Sequence, residues 1–493
     1  MSIIRGVPCC MRLAKKLGEI IMLDRFLQNK IFRFIYTPLL LTLACLIVVF
    51  DIQIYGAAAL VLIAAFMLVF SSRLTDAMLP VMLLSVLVTK LYDLLGNEEY
   101  MAQVMHILWV AVPVVFSVIF HFIYYKKPLK IGRSFWGLCA ISVALILGGV
   151  GTLPADHYFS GALFYVLGLG VGMCVFYLLV KSQFDEGSGR ELLSVMYLTG
   201  LFAAFCVAMF YVNGWEEFIR TREFLWFQSK NNLSTFLMLA MPFPVFFAVK
   251  NPAHMLSTVV MYAAIIFSGS RGGLLMGMVE LFIIFAAYVM LYPNNIKQRI
   301  FAIGSSVLIG VGVICCIPLI AKLNGISGDG GEAITSVSEL IEKLKGYLVR
   351  EDEVRYRVLE RTGDNFKSNP LFGVGMGYRG NEDIWKSKAG AMNWYHMWFA
   401  QVFAGLGIVG ILAYGYQLID RIIIFIKSRC NLTLTLMLSY VGLFLMSQVN
   451  PGEFCPAPYA MLGVTYFIIM EGNQKDRTLS SLLKREKKSK NND

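Results

Sequence analysis

The sequence predicts an all-α polytopic membrane protein with about 14 transmembrane helices, and three observations carry that prediction. The first is composition: of 493 residues, 57% are hydrophobic and only 15% charged, with mean hydropathy +0.66. A soluble domain carries roughly 25% charged residues, so an ordinary cytosolic enzyme is excluded. The second is length. A bilayer-spanning helix needs about 20 mostly apolar residues, so fourteen would take roughly 280 positions, close to the hydrophobic total. The third is the placement of Lys and Arg, which alternates along the chain as orientation in a membrane requires.

Residues 1–33 are basic and weakly amphipathic, with no small-residue cleavage site after the first apolar run. They read as a cytoplasmic-surface segment ahead of an uncleaved first span. Apolar runs then place spans near 34–50, 54–70, 77–95, 102–125, 135–151, 159–180 and 192–212. Seven more follow near 233–249, 255–268, 272–292, 300–321, 396–418, 431–449 and 457–471. With the N-terminus inside, the even-numbered connections are the basic ones. They hold Arg73; Lys126, Lys127, Lys130 and Arg133; then Lys181 and Arg190. Further on come Lys250; Lys297 and Arg299; then Arg421, Lys427 and Arg429. The tail 472–493 ends LLKREKKSKNND, basic and also inside, whereas connections 51–53, 96–101, 152–158 and 450–456 hold no Lys or Arg. Shifting the count by one span spoils this alternation, so a membrane domain over 34–471 with both termini cytoplasmic is the consistent reading. The formal net charge of +11 is accounted for in the same way and implies no nucleic-acid partner.

Six of the ten cysteines (Cys45, Cys139, Cys174, Cys206, Cys315 and Cys316) fall in apolar runs, where thiols act as small hydrophobes. Only Cys455 falls in an exported connection, so no disulfide framework is expected. The one large hydrophilic segment is the exported connection 323–395. Within it Ile334, Val337, Ile341, Leu344 and Leu348 recur at helical spacing, with Ser336 and Glu339 as a capping box. This reads as an amphipathic helix on the outer membrane surface. The run Glu351, Asp352, Glu353 reads as a solvated face rather than a metal site. Lys90 and Asp93, three apart, can neutralise one another on a helix face, and Glu280 has no evident partner in sequence. No internal repeat relates the two halves of the chain.

AGLGIVG puts Gly405, Gly407 and Gly410 in GxGxxG spacing, but inside an apolar span, so these read as helix-packing glycines and not as a dinucleotide site. SGSRGG, residues 268–273, flanks Arg271 with glycines. An arginine at the bilayer edge can simply snorkel; the glycines let a bulky polar ligand approach the backbone, and a guanidinium fork suits phosphate oxygens. Arg220 and Arg222 stand exported before span eight, where a solvated loop charge is the plain reading. NPLFGVGMGYRG, residues 369–380, is a turn-rich segment with Gly373 and Gly375. It precedes NWYHMWFAQVFAGLGIVG, which sets His396 at the start of span twelve. A histidine among interfacial aromatics packs more often than it reacts, yet it accepts a proton near neutral pH without tuning.

The chain resembles the O-antigen ligase and polymerase family of bacterial membrane glycosyltransferases. The resemblance rests on SGSRGG, on NPLFGVGMGY, and on His396 leading into AGLGIVG, in that order behind a long exported loop. Arg355, fifteen residues before Pro370, stands where the family carries an arginine. Arg222, with Phe227 and Asn231 behind it, looks like the family element before a membrane helix. The similarity covers roughly 220–415; Met397 and Leu359 depart from the family's Asn and Trp. It implies a GT-C-like fold and a glycan donor on a polyprenyl diphosphate, undecaprenyl diphosphate in kind. The donor would be used on the exported face of the inner membrane in lipopolysaccharide or exopolysaccharide biosynthesis. Arg271, Arg222 and Arg355 would hold the diphosphate without a metal or other cofactor, with Arg220, Asn231, Gly373 and Gly375 in support. His396 would take the proton from an acceptor hydroxyl, giving inversion. The rival reading is a lipid-linked oligosaccharide flippase or other polysaccharide transporter. It predicts internal repeats and ionisable residues near the midplane, whereas repeats are not evident and the charges cluster at one face.

Overall fold

The computed structural model describes residues 22–88, 105–152, 163–185, 187–221, 229–324, 326, 333–349, 354–376, 395, 397–450, 452–454 and 457–473. These are 82% helical and contain no strand. The chain order is α1 (Lys30–Val49), α2 (Gln53–Phe70), α3 (Met78–Leu87), α4 (Ala111–Tyr124), α5 (Ser134–Leu147) and α6 (Gly172–Gln183). Then come α7 (Ser188–Thr221), α8 (Lys230–Ala240), α9 (Met255–Phe267), α10 (Arg271–Leu291), α11 (Ile296–Cys315) and α12 (Ile317–Asn324). The last are α13 (Val337–Val349), α14 (Val354–Ser368), α15 (Trp398–Ser428), α16 (Asn431–Ser447) and α17 (Ala457–Gly472).

Among the described residues, nine helices are long and apolar enough to cross a bilayer. The other five runs expected to span coincide with the shorter apolar helices Leu74–Leu87, Ser134–Leu147, Pro252–Phe267 and Asn431–Ser447, and with α17. Local chemistry sets the helix ends. Asn295 caps α11 in a reciprocal box with Gln298, and Asn29 accepts from Ile31 N at the start of α1. The outward surface is apolar: α11 exposes Ile300, Ile303, Val307, Leu308, Val311 and Ile314, and α4 exposes Val112, Val115, Phe116, Ile119 and Ile123. Water would not tolerate so continuous an apolar belt, so the molecule is a multi-pass membrane protein.

Two cores hold the bundle. The larger joins α1–α3, α7–α10, α16 and α17 around Leu60, Phe236, Ile284 and Tyr466. The smaller joins α5, α6, α15 and α17 around Leu138, Tyr177, Leu406 and Val464. Ion pairs and hydrogen bonds tie the helix ends together. On one side Arg33 pairs with Asp76 (2.8 Å) and Glu191 (2.9 Å), Arg73 with Glu191, Lys181 with Glu471 and Arg133 with Asp420. Lys127 Nζ donates to Gln183 O at 3.1 Å and Gln298 Nε2 to Val249 O at 2.9 Å. On the other side Asn369 Nδ2 donates to Val150 O and Thr152 Oγ1, both at 2.8 Å, and Tyr211 Oη to Phe267 O at 2.6 Å.

Several charges assigned to connections lie within helices: Lys181 in α6, Arg190 in α7, Lys297 and Arg299 in α11, and Arg421 and Lys427 in α15. Arg421 lies inside α15, which runs on to Ser428, and it is buried against Glu453 and Tyr440. The helix expected in the long connection is present as α13. Ser336 Oγ accepts from Glu339 N, but the Glu339 carboxylate returns to Thr335 N, one residue before the expected partner. Ile334 and Leu340 of this segment are buried while Val337 and Ile341 are exposed. Glu280 is fully buried in α10, and neither carboxylate oxygen has a hydrogen-bond partner among the described residues. Lys90, Asp93, Glu351, Asp352 and Glu353 lie outside those residues.

Candidate functional site

Three segments meet at the C-terminal end of α16, and a fourth fits into a break in α15. The first is the turn between α9 and α10. Gly269 takes φ +70 there, and Ser270 caps α10 by accepting from Gly273 N at 3.2 Å. Ser270 Oγ also donates to Asn231 Oδ1 at 2.8 Å, and Ser268 Oγ lies 2.7 Å from Ser234 Oγ. Both serines of SGSRGG therefore stitch the turn to the start of α8. Arg271 is the first residue of α10 and half-buried. A cationic side chain and the positive end of a 21-residue helix thus share one place, which suits an anion.

The second segment is the start of α8 itself. Thr235 Oγ1 donates to Asn231 O at 2.8 Å, and Asn232 O accepts from Tyr459 Oη at 2.6 Å. The third is the chain after α16. Val449 packs on Gly272: a Cβ at position 272 would lie 2.9 Å from Val449 Cγ2. Only glycine lets the start of α10 and this turn approach so closely.

The fourth is NPLFGVGMG, and it fits into a break in α15. Gly407 takes φ 60, ψ −154, a region open almost only to glycine, and interrupts the helix. The expectation that Gly405, Gly407 and Gly410 only pack helices is corrected at Gly407. The break frees backbone groups, and 370–375 supplies their partners. Val374 N donates to Ala404 O and Gly375 N to Gly405 O, both at 2.9 Å. In return Ile408 N donates to Pro370 O at 2.9 Å and Val409 N to Leu371 O at 3.2 Å. Interrupted backbone in a membrane protein persists only when satisfied in this way. Gly373, φ +66, sits where a Cβ would strike the backbone of residues 404–406.

His396 and Arg222 lie outside the described residues; Arg220 is the penultimate residue of α7 and Arg355 the second of α14, with backbone alone described. The neighbours of His396 are placed. Tyr395 N donates to Gln401 Oε1 at 3.0 Å, its hydroxyl accepts from Asn365 Nδ2, and Met397 O accepts from Gln401 N at 2.9 Å. Gln401 Nε2 in turn donates to Met376 Sδ at 3.4 Å. Trp398 packs on Phe444 of α16 with ring centroids 5.4 Å apart. Val358 of α14 clusters with Tyr395, Ala400 and Ala404, so α14 packs on the first turns of α15. The structure therefore brings Asn231 and the Arg271 turn together beside the chain after α16, whereas Gly373 and Gly375 sit in the strap across the break in α15.

Sequence reasoning missed two parts: the helix break, and the turn after α16 with its buried Arg421–Glu453 pair. A signal for the second exists, since Glu453 is the only acid between Asp420 and Glu471 and follows Pro451-Gly452. No curated protein matches the chain. Residues 256–415 match the family model described as O-antigen ligase. That segment holds Arg271, Gly373, Gly375 and the helix break, and by it the chain carries an O-antigen ligase domain.

Proposed function

We propose that this protein is a glycosyltransferase that moves a glycan from a polyprenyl-diphosphate carrier to an acceptor hydroxyl on the exported face of the bacterial inner membrane. The observation that carries the proposal is Arg271 at the head of α10, tied through Ser270 to Asn231 and packed beside the turn after α16. The odd-numbered connections gather on that side, with fourteen crossings and both termini cytoplasmic.

In this reading Arg271, Arg222 and Arg355 bind the diphosphate, and Arg220, Asn231, Gly373 and Gly375 support them. The acceptor oxygen attacks the anomeric carbon from the face opposite the carrier, so the configuration inverts. As the C–O bond to phosphate breaks, its electron pair leaves on the diphosphate, whose growing charge the arginines neutralise without a metal. Each charge-assisted hydrogen bond contributes ~1.5–3 kcal/mol. His396 takes the acceptor proton, a step that typically supplies 10²–10⁴-fold.

The test is transfer by the purified protein from a defined polyprenyl-diphosphate glycan, with and without chelator. Inverted product formed equally in both supports the reading. Movement of donor across vesicles without transfer would instead favour a flippase. Gene deletion followed by glycan electrophoresis assigns the acceptor. Single-repeat products mean a polymerase; long carrier-bound chains mean a ligase.

A further inference from the structure

The turn after α16 carries a buried ion pair that the proposed chemistry does not use. Arg421 Nη1 donates to Glu453 Oε1 at 2.9 Å, with side chains 8% and 9% exposed. Arg421 also donates to Tyr440 Oη, and its guanidinium lies over the Tyr440 and Phe467 rings at 4.5 and 5.0 Å. Burying two charges is expensive, and a well-packed apolar pair would often hold the helices as well or better. Stability alone therefore does not explain the pair. Its geometric effect is to tie residue 453 down to α15.

That tether leads to Arg271. Glu453 N donates to Ser447 Oγ at 3.0 Å, which closes the turn onto the last residue of α16. Phe454, 2% exposed, packs its ring 5.9 Å from Tyr414. Between these anchors Val449 presses on Gly272, the neighbour of Arg271. Beyond them Tyr459 bonds Asn232, the neighbour of Asn231. A cavity of about 40 Å³ beside the pair, lined in part by Tyr414, Gln417, Arg421 and Glu453, is large enough for water. The ion pair is thus one of the turn's anchors, beside the Ser447 hydrogen bond, buried Phe454 and the backbone hydrogen bonds of residues 448–450 to α16.

We infer that Arg421 and Glu453 are positioning residues whose ion pair helps hold residues 447–450 and 452–454 in place, with Val449 against Gly272, and so sets the place of Arg271. The inference rests on the proposed role of Arg271 in diphosphate binding. Both residues lie beyond the matched segment 256–415. A displacement of about 1 Å at a binding group can cost on the order of a hundredfold in rate, so the latch need move little to matter.

The test uses the full-length protein with farnesyl diphosphate as the binding probe, transfer as the activity, and thermal unfolding as the control. Glu453→Gln keeps the shape but leaves the Arg421 charge unpaired. It is expected to weaken probe binding about tenfold or more, while Arg421→Lys and Glu453→Asp each restore part of the affinity. Gly272→Ala drives a methyl into Val449 and is expected to weaken binding similarly. Gly272→Ala/Val449→Ala makes room and is expected to recover it. If Glu453→Gln fails to accumulate, this second pair decides. Arg271→Ala separates the two ideas. Normal probe affinity in Arg271→Ala overturns the diphosphate reading itself. Lost affinity in Arg271→Ala with normal affinity in Glu453→Gln and Gly272→Ala overturns the latch alone. A lowered unfolding temperature with unchanged affinity in Glu453→Gln likewise reduces the pair to a structural contact.

Discussion

Arg271 heads α10 with its helix cap already committed: Ser270 Oγ accepts from Gly273 N and donates to Asn231. Its role therefore depends on its own fork and not on the cap. Arg271→Ala is expected to lower transfer roughly tenfold to a hundredfold at normal abundance, the scale of one or two charge-assisted hydrogen bonds. Arg271→Lys restores only part, because a point charge lacks the two-pronged geometry. Normal activity in both variants would remove the phosphate role. His396 makes a different demand. His396→Gln keeps a hydrogen-bonding side chain but accepts no proton, so it should bind donor and lose ~3–5 kcal/mol of barrier lowering. Turnover near wild type in the purified variant would leave His396 a packing residue. Glu280 is the opposite case, fully buried with no partner for either oxygen among the described residues. An ion there is costly and Gln has the same volume, so Glu280→Gln is expected to keep abundance and transfer. A tenfold loss of transfer would show that the carboxyl itself is used.

At the scale of elements, α15 is two helices joined at a glycine, with a loop strapped across the joint. The strap supplies four backbone hydrogen bonds to residues 404–409 and is itself held through Asn369 to the connection after α5. A side chain at 407 faces both a backbone region open almost only to glycine and the Pro370 carbonyl, 2.6 Å from where its Cβ would lie. Gly407→Ala should therefore cost about 1–3 kcal/mol from backbone strain, with the clash added. Thermal unfolding in detergent measures this, and an unchanged midpoint would mean the break is not obligatory. Gly373→Ala attacks the same joint from the strap, at φ +66. The two substitutions share one contact, so their combined effect should fall short of the sum of the single effects.

For the whole molecule, ion pairs link the charge pattern to the packing. The acids Asp76, Glu191, Asp420 and Glu471 pair with Arg33, Arg73, Arg133 and Lys181 at or near helix ends. In a cell the side holding that cluster is expected to be cytoplasmic, because loops rich in Lys and Arg stay inside. Single cysteines at 351 and 487, in a protein freed of reactive native thiols, test this. An impermeant reagent should label 351 and spare 487 in intact cells. Labelling at 487 alone would reverse the orientation.

The sequence by itself determined the membrane class and the all-helical architecture, because hydrophobic length is a local property that survives without knowledge of partners. It also marked Arg271, Gly373 and Gly375, where glycine and proline punctuate apolar runs. Tertiary structure alone decided what those segments touch. Gly407 reads as packing until the strap fills the break, since a freed carbonyl is tolerable only where a distant segment supplies the donor. Arg421 reads as a loop charge until Glu453, thirty-two residues on, folds back onto it. Both facts depend on pairings between segments far apart in the chain, and no local pattern of apolar and charged residues encodes which pairing wins.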